Sequence, residues 1–374
     1  MADTAAKAVL ITGAGGPLGV NLTRSIRRLG DRAPRLIGTD ANRWHLPLAL
    51  TDVTYRIPLA SDRDGYAAAL REIVDREQVD AILPTHPVEV RAMAELRDRG
   101  ALDGLGTALP RTPILEIADD KAATHARLDA AGVPVPRTRL LASRDDLDAA
   151  FADYAADGPV WIRGSGAPGL GIGGAALPCR EPGVARAWID YHRGWGKMAA
   201  SEYLPGANLS WMAAFDRGRL IACGSRERLE YVLPHVSPSG ITGAPAVSRT
   251  IARDDVATIG ERAVRALDDA PHGVYFADLK EDSVGLPRVT EINAGRCGTT
   301  VEAYSEAGFN FPALLLAMAR GLPLPAPADP YRAVETGVYW VRTLDCGPVA
   351  LRGEEGFDAF PTAGPPGPRG APDR

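Results

Sequence analysis

The first 86 residues alternate short apolar runs with amphipathic stretches, and this restricts the fold more than any other feature of the chain. AVLIT at 8–12 leads into GAGGPLG, and VNLTRSIRRLG follows at 20–30 with Val20, Ile26 and Leu29 on one helical side. RLIGTD at 35–40 and VTYRIPL at 53–59 read as strands, and YAAALREIVDREQ at 66–78 as a helix with Leu70, Ile73 and Val74 inward. VDAILPTH at 79–86 is a further buried strand. Strands separated by helices predict a parallel sheet with βαβ crossovers, hence a Rossmann-like first domain over residues 1–108.

The pattern then changes. PILEIADDKAATHARLDAAGVPVPRT at 113–138 reads as one helix closed by Gly132 and two prolines, and 145–157 as a second helix. GPVWIRGSGAPGLGIGGAALP at 158–178 is a strand, a glycine-rich loop and a strand. MAASEYLP (198–205), the segment 209–228 and the segment 273–293 read as antiparallel strands, with hairpin turns at Asp216-Arg217-Gly218 and Ser283-Val284-Gly285. Helices are expected at 256–270 and 311–321, and an edge strand at 336–344. The fold class is therefore α/β followed by α+β. A helical segment with a small lid domain spans 109–186, a larger domain 187–345, and a tail 346–374. From Pro361 (PTAGPPGPRGAPDR) the tail is too poor in large apolar residues to order itself.

Composition removes several functions. The net charge is -5, which gives no basic surface for nucleic acid or anionic lipid. No apolar run approaches the roughly 20 residues that a membrane span needs. The start, MADTAAKAVLITGAGG, has no secretory pattern. The four cysteines, at 179, 223, 297 and 346, are scattered and form no CxxC, which suits reduced thiols in a cytoplasmic protein. Only Cys297 falls inside a motif. Lysine is rare: Lys7, Lys121, Lys197 and Lys280 are the only four, and every other of the 42 basic residues is arginine, so each lysine marks a position of interest.

Three residue sets carry chemistry. Gly13-Ala14-Gly15-Gly16-Pro17-Leu18-Gly19 follows a strand and opens a helix, with Asp40 ending the next strand. It reads either as a dinucleotide turn or as a Rossmann-type turn without nucleotide; Leu18 breaks the GxGxxG spacing. Arg163 leads into Gly164, Gly166, Gly169, Gly171, Gly173 and Gly174, a loop able to fold its amides over phosphates. Asp120-Lys121 offers a second cation. Asp278 and Glu291 lie across one hairpin, with Asn293 two residues beyond Glu291 and so on the same face. Two carboxylates and an amide oxygen suit Mg²⁺ beside substrate phosphates.

IRGSGAPGLGIGG, the DK…GVPVP segment, SEYLPG and VTEINAGRCGTT, in that order, resemble the ATP-grasp superfamily, over the chain to about residue 325. LITGAGGPLGVNLTRSIR and the segment from His235 to Pro245 are similar to the branch containing the carbamoyl phosphate synthase large subunit. The resemblance implies an ATP-grasp fold with an N-terminal Rossmann-like pre-ATP-grasp domain. It implies an ADP-forming ligase that joins a small-molecule carboxylate to an amine through an acyl phosphate, using ATP and Mg²⁺, with Mn²⁺ as a substitute. Lys121, Arg163 and the loop glycines Gly166, Gly169 and Gly171 match residues at the ATP phosphates. Glu202, Tyr203 and Leu204 match the adenine hinge, and Asn208 stands where relatives carry an acid on the ribose. Asp278, Glu291 and Asn293 match the metal ligands. Arg296 matches an arginine on the acyl phosphate or the carboxylate, one residue later than in the usual EINPR.

The expected partners are these small molecules, with no nucleic acid and no membrane; a homodimer is compatible with the reading. No glutaminase domain is encoded and only one ATP-grasp half is present, which argues against carbamoyl phosphate synthesis. A nicotinamide-dependent oxidoreductase and a non-catalytic ATP-binding regulator are the alternatives. His235 reads as orienting the nucleophile or as an ordinary loop histidine. Arg226 and Arg228 read as carboxylate binders or as a solvated face. His86 and Glu89 sit at a strand end in the first domain and are candidates to contact substrate across the domain interface, and Trp161, Trp195, Trp211 and Tyr203 read as core and hinge packing rather than a recognition surface.

Overall fold

A computed structural model describes residues 8–165, 175–234, 239–240, 243, 245–342 and 360–363. The leading apolar runs form strands β1 (Ala8–Thr12), β2 (Leu36–Asp40), β3 (Val53–Arg56) and β4 (Val79–Leu83), all parallel, in the order β3-β2-β1-β4. Helices α1 (Pro17–Arg27), α2 (Arg63–Glu77) and α3 (Pro87–Asp98) connect and follow them. Every residue of β1 and β2 is buried, as expected of a parallel sheet covered on both faces. α3 was not legible as a helix. Pro87 supplies its first turn and the His86 ring accepts from Val88 N, 3.3 Å, so His86 caps a helix.

The run 113–138 is two helices, not one: α4 (Thr112–Asp119) and α5 (Lys121–Ala130). Asp120 breaks it, with φ -97° and ψ 104°, and its carboxylate accepts from Ala122 N and Ala123 N. A short acidic side chain that captures free amides favours a new helix start over continuation. Lys121 thereby becomes the first residue of α5.

Strands β5 (Thr138–Leu140), β6 (Val160–Gly164), β7 (Leu177–Cys179) and β8 (Met198–Ser201) form a second, antiparallel sheet in the order β5-β8-β6-β7. α6 (Arg144–Tyr154) and α7 (Pro182–Tyr191) pack Leu147, Phe151 and Ile189 against Val160, Ile162 and Met198. Met198–Ser201, expected with the larger domain, thus pairs inside this smaller sheet, because Ser201 and Ala200 take their partners from β5 and β6.

The third sheet has six antiparallel strands: β9 (Asn208–Asp216), β10 (Arg219–Tyr231), β11 (Pro245–Ile251), β12 (Gly273–Glu281), β13 (Pro287–Ala294) and β14 (Tyr339–Val341), ordered β13-β12-β9-β10-β11-β14. β14 is the edge strand expected within 336–344. The period of two divides β9 between two cores. Trp211, Ala213 and Phe215 join α8 (Asp254–Leu267), whereas Met212 and Ala214 join α1 and α10 (Phe311–Ala319). A short helix, α9 (Glu302–Glu306), precedes α10. The second core therefore runs from the large sheet through α10 into the first domain.

Pro361 to Ala363 do not behave as a disordered tail. Arg56 N donates to Pro361 O at 3.0 Å, Ala363 N donates to Arg56 O at 3.1 Å, and Ala363 is buried. Backbone hydrogen bonds to an open sheet edge order these three residues where side-chain bulk alone does not. Among the described residues no helix is long and apolar enough to cross a membrane.

Candidate active site

The β12–β13 hairpin sets the centre of the site. Its register puts Asp278 opposite Glu291 and Phe276 opposite Asn293. Each of the three expected metal ligands has a basic partner from a different segment. Lys121, opening α5, holds Glu291 at 3.0 Å. Arg228, near the end of β10, is hydrogen-bonded to Asp278. Arg296, just past β13, donates to the Asn293 amide oxygen.

Arg163 lies on β6 at the rim of the glycine-rich loop and donates to Thr290 O at 3.2 Å. Thr290 O also contacts His125 Nε2 at 3.2 Å, a histidine that the sequence did not single out. Burial, with the charge of Arg163 next to it, pulls His125 down to about 4, so its ring is neutral at ordinary pH. Burial pushes the Asp278 carboxyl up against the pull of Arg228, and the Glu291 charge adds to the rise. Burial acts on Glu291 in the same sense, but Lys121, Arg163 and Arg296 outweigh it and hold Glu291 below the usual carboxylate range.

A cleft of about 430 Å³ runs from this charged cluster to the segment after β8. Lys121, Arg163, Asp278 and Glu291 line one part, and Glu202, Tyr203 and Leu204 another, with Asn208, Lys280 and Arg228 in the lining as well. Tyr203 and Trp161 both line it, their ring centres 6.3 Å apart, so these two aromatics bound the cleft and are more than packing. Trp211 is fully buried in the core. Glu202 acts as a brace: its carboxylate accepts from Arg137 N at 2.9 Å and Arg137 Nε at 2.7 Å. Asn208 Oδ1 accepts from the Lys280 ammonium at 3.2 Å.

The two arginines of β10 separate. Arg226 is almost fully buried, donates to Thr300 and lies 4.8 Å over the Tyr304 ring, a structural role. Arg228 faces the cleft, two residues along the strand, and its Nε is buried without a hydrogen-bond partner among the described residues. Two residues apart on one strand, the two share a face of β10, so periodicity does not distinguish them and only what packs over each one does. Cys297 is buried and its thiol is pushed up to about 12, which leaves it no thiolate character. Gly166, Gly169, Gly171 and His235 lie outside the described residues, as do Thr242 and Cys346.

Asp278, Glu291 and Asn293 offer hard oxygen donors on one hairpin, which fits Mg²⁺. Among the described residues no group of three or more His, Cys, Asp or Glu side chains is disposed to hold a metal. Two carboxylates and one amide oxygen would leave most of an octahedral shell to phosphate oxygens and water, which Mg²⁺ accepts.

The first glycine turn is filled from within. A Cβ on Gly15 would stand 1.9 Å from His45 O, and one on Gly19 2.3 Å from Gly13 O. Asp40 already accepts from Gly15 N at 3.3 Å and Asn42 N at 2.9 Å. Of the two readings of this turn, packing without a nucleotide is the one that these contacts favour. Beside it Glu89 is buried and accepts from Thr12 Oγ1 at 2.8 Å and Tyr66 OH at 3.3 Å. Glu89 therefore faces the inside of the first domain.

No known family model matches the sequence, and no curated protein matches it by sequence. Solved structures do match. A biotin carboxylase from Campylobacter jejuni, in a β,γ-ATP complex, superposes with a TM-score of 0.63 at 15% identity, over 89% of this chain and 74% of that one. An L-amino acid ligase from Bacillus licheniformis gives 0.58 at 18% identity, over 84% and 74%. A carboxyaminoimidazole ribonucleotide synthase from Aspergillus clavatus, complexed with ATP, gives 0.63 at 16% identity, over 88% and 80%. These structures are ATP-grasp enzymes, and this chain has the ATP-grasp fold.

Proposed function

We propose that the protein is an ATP-dependent, ADP-forming ligase that activates a carboxylate as an acyl phosphate and passes it to an amine. One observation carries the reading: Lys121, Arg163 and Arg228 meet Asp278 and Glu291 in a single cleft whose lining continues through Glu202, Tyr203 and Leu204. Cations and carboxylates concentrated in one cleft suit a triphosphate and its metal better than any neutral ligand.

In this reading Lys121 and Arg163 bind the phosphates, and Tyr203 and Leu204 border the base. Asp278, Glu291 and Asn293 would hold Mg²⁺, which when bound offsets charge on the β- and γ-phosphate oxygens. A carboxylate oxygen of the substrate attacks the γ-phosphorus and ADP leaves. The amine then attacks the carbonyl carbon, phosphate departs with the acyl C–O bond electrons, and the amine nitrogen gives up its proton. Arg228, bonded to Asp278, and Arg296, bonded to Asn293, are disposed to hold the carboxylate and the departing phosphate.

Two of the three structures described above are named for carboxylation. They favour a second reading in which the carboxylate is bicarbonate and the product a carbamate. Phosphate release measured with carboxylate–amine pairs, with bicarbonate as one of the carboxylates, tests both. ADP formation that no carboxylate stimulates overturns both; ATP binding without turnover would leave a non-catalytic regulator, and hydride transfer from a nicotinamide would point to the oxidoreductase.

A further inference from the structure

Lys280 is one of only four lysines in an arginine-rich chain, and the proposed chemistry makes no use of it. It lies directly opposite Asn208 in the β12–β9 register. Its ammonium donates to Gly206 O at 2.9 Å and to Asn208 Oδ1 at 3.2 Å, and both partners are neutral oxygens. An ammonium has three N–H donors, so one remains uncommitted by these two bonds. The bond to Oδ1 also fixes the Asn208 amide with its NH₂ group as the other polar end. Both residues line the cleft. The nearest acid along the strand, Glu281, belongs to the opposite face and is bound by Arg253 and Ala207 N.

Position along the cleft says which part of a ligand they meet. Lys280 is two residues from Asp278 on the same face of β12, about 7 Å away by strand rise. A metal on Asp278 contacts phosphates, and Tyr203 and Leu204 border the far part of the cleft. A group one strand repeat from the metal therefore meets the nucleoside half of the nucleotide.

We infer that Lys280 and Asn208 form a donor pair that recognises a hydrogen-bond acceptor on the nucleoside, either a sugar hydroxyl oxygen or a purine ring nitrogen. The inference rests on the nucleotide reading of the cleft. It differs from a ribose clamp built on a carboxylate, which accepts from the sugar; here the protein donates. A donor pair tolerates removal of a ligand hydrogen but not of a ligand acceptor.

Calorimetry on the full chain tests this with ATP–Mg²⁺ and with inorganic tripolyphosphate–Mg²⁺ as probes. Lys280→Met is expected to weaken ATP roughly 10-fold or more, the loss of one charge-assisted hydrogen bond, and to leave tripolyphosphate unchanged. In the unaltered protein, weaker binding of 2′-deoxy- or 3′-deoxy-ATP identifies a sugar oxygen and weaker binding of 7-deaza-ATP a ring nitrogen; the same analogue should lose its sensitivity to Lys280→Met. Equal weakening of ATP and tripolyphosphate, or of neither, overturns the donor pair. Absence of ATP binding by the unaltered protein overturns the nucleotide reading itself, a result distinct from the failure of Lys280 alone.

Discussion

The Lys121 ammonium lies 3.0 Å from the Glu291 carboxylate, which ties the first residue of α5 to the hairpin strand β13. Asp120, one residue earlier, breaks the helix that would otherwise carry Lys121 past this point. In the proposed reaction the pair is a resting arrangement: the metal takes the carboxylate and the phosphates take the lysine.

Loss of either carboxylate should stop turnover without unfolding the chain. Asp278→Asn and Glu291→Gln keep shape and polarity, so Arg228 and Lys121 retain hydrogen-bond acceptors. ADP formation is expected to fall roughly 10²–10³-fold in each, the scale of one lost electrostatic contact to the transferred group. A Mg²⁺ titration with a coupled ADP assay checks this. Near-normal turnover at ordinary Mg²⁺ in both variants would remove the metal assignment.

Arg163 and Arg296 should separate nucleotide binding from acyl chemistry. Arg163→Ala is expected to raise KM for ATP and lower kcat, by roughly 10- to 150-fold in kcat/KM. Arg296→Ala should bind a non-hydrolysable ATP analogue almost normally yet lose carboxylate-dependent ADP formation. Calorimetry and the ADP assay report the two properties independently. The opposite pattern would exchange the roles of the two arginines.

Glu89 should make stability pH-dependent. Burial, with the Asp40 charge adding to it, pushes this carboxyl up to about 7 from an ordinary 4.5, against the hydrogen bonds of Thr12 and Tyr66. The folded state therefore holds the proton more tightly than the unfolded chain does. Its contribution is full below about pH 4.5, declines as pH rises and is gone above about pH 7, a span on the order of 3 kcal/mol. Glu89→Gln should melt close to the unaltered protein at pH 5 and at a higher temperature at pH 8. A constant offset between the two melting curves would mean that Glu89 is ionised throughout.

Gly15→Ala should cost stability and no cofactor. The added methyl meets the His45 carbonyl at a distance that no contact tolerates, so a loss of about 1–3 kcal/mol or more is expected. NADH fluorescence should show no binding by either protein. Micromolar NADH affinity, lost on Gly15→Ala, would return the oxidoreductase to first place.

Much of this site was legible because its residues sit where local rules are strong. Asp278, Glu291 and Asn293 follow from a hairpin turn and a period of two. Arg163 and Lys121 follow from a strand that ends at glycines and an acidic residue before a lysine. Arg228 and Lys280 were not separable from surface positions, since which face of β10 and β12 borders the cleft is set by segments remote in sequence, such as Lys121 and Glu202–Leu204. α3 and α7 begin at Pro87 and Pro182, and a proline after a turn-like segment reads equally as a loop. The order of residues 361–363 comes from backbone bonds to Arg56 and the burial of one small side chain, Ala363, which no side-chain pattern in the tail announces.

Gly295 abuts the first domain: it has φ +78°, donates to Val274 O at 2.8 Å, and its α-carbon faces Val90 so closely that a Cβ would stand 2.7 Å from it. The residue after it is Arg296. The first domain is thus the backstop behind the arginine proposed for the acyl chemistry, rather than an appendage bolted onto a self-sufficient half. Swapping that domain in an engineered chimera would change the surface behind Gly295 and with it the setting of the residue that follows.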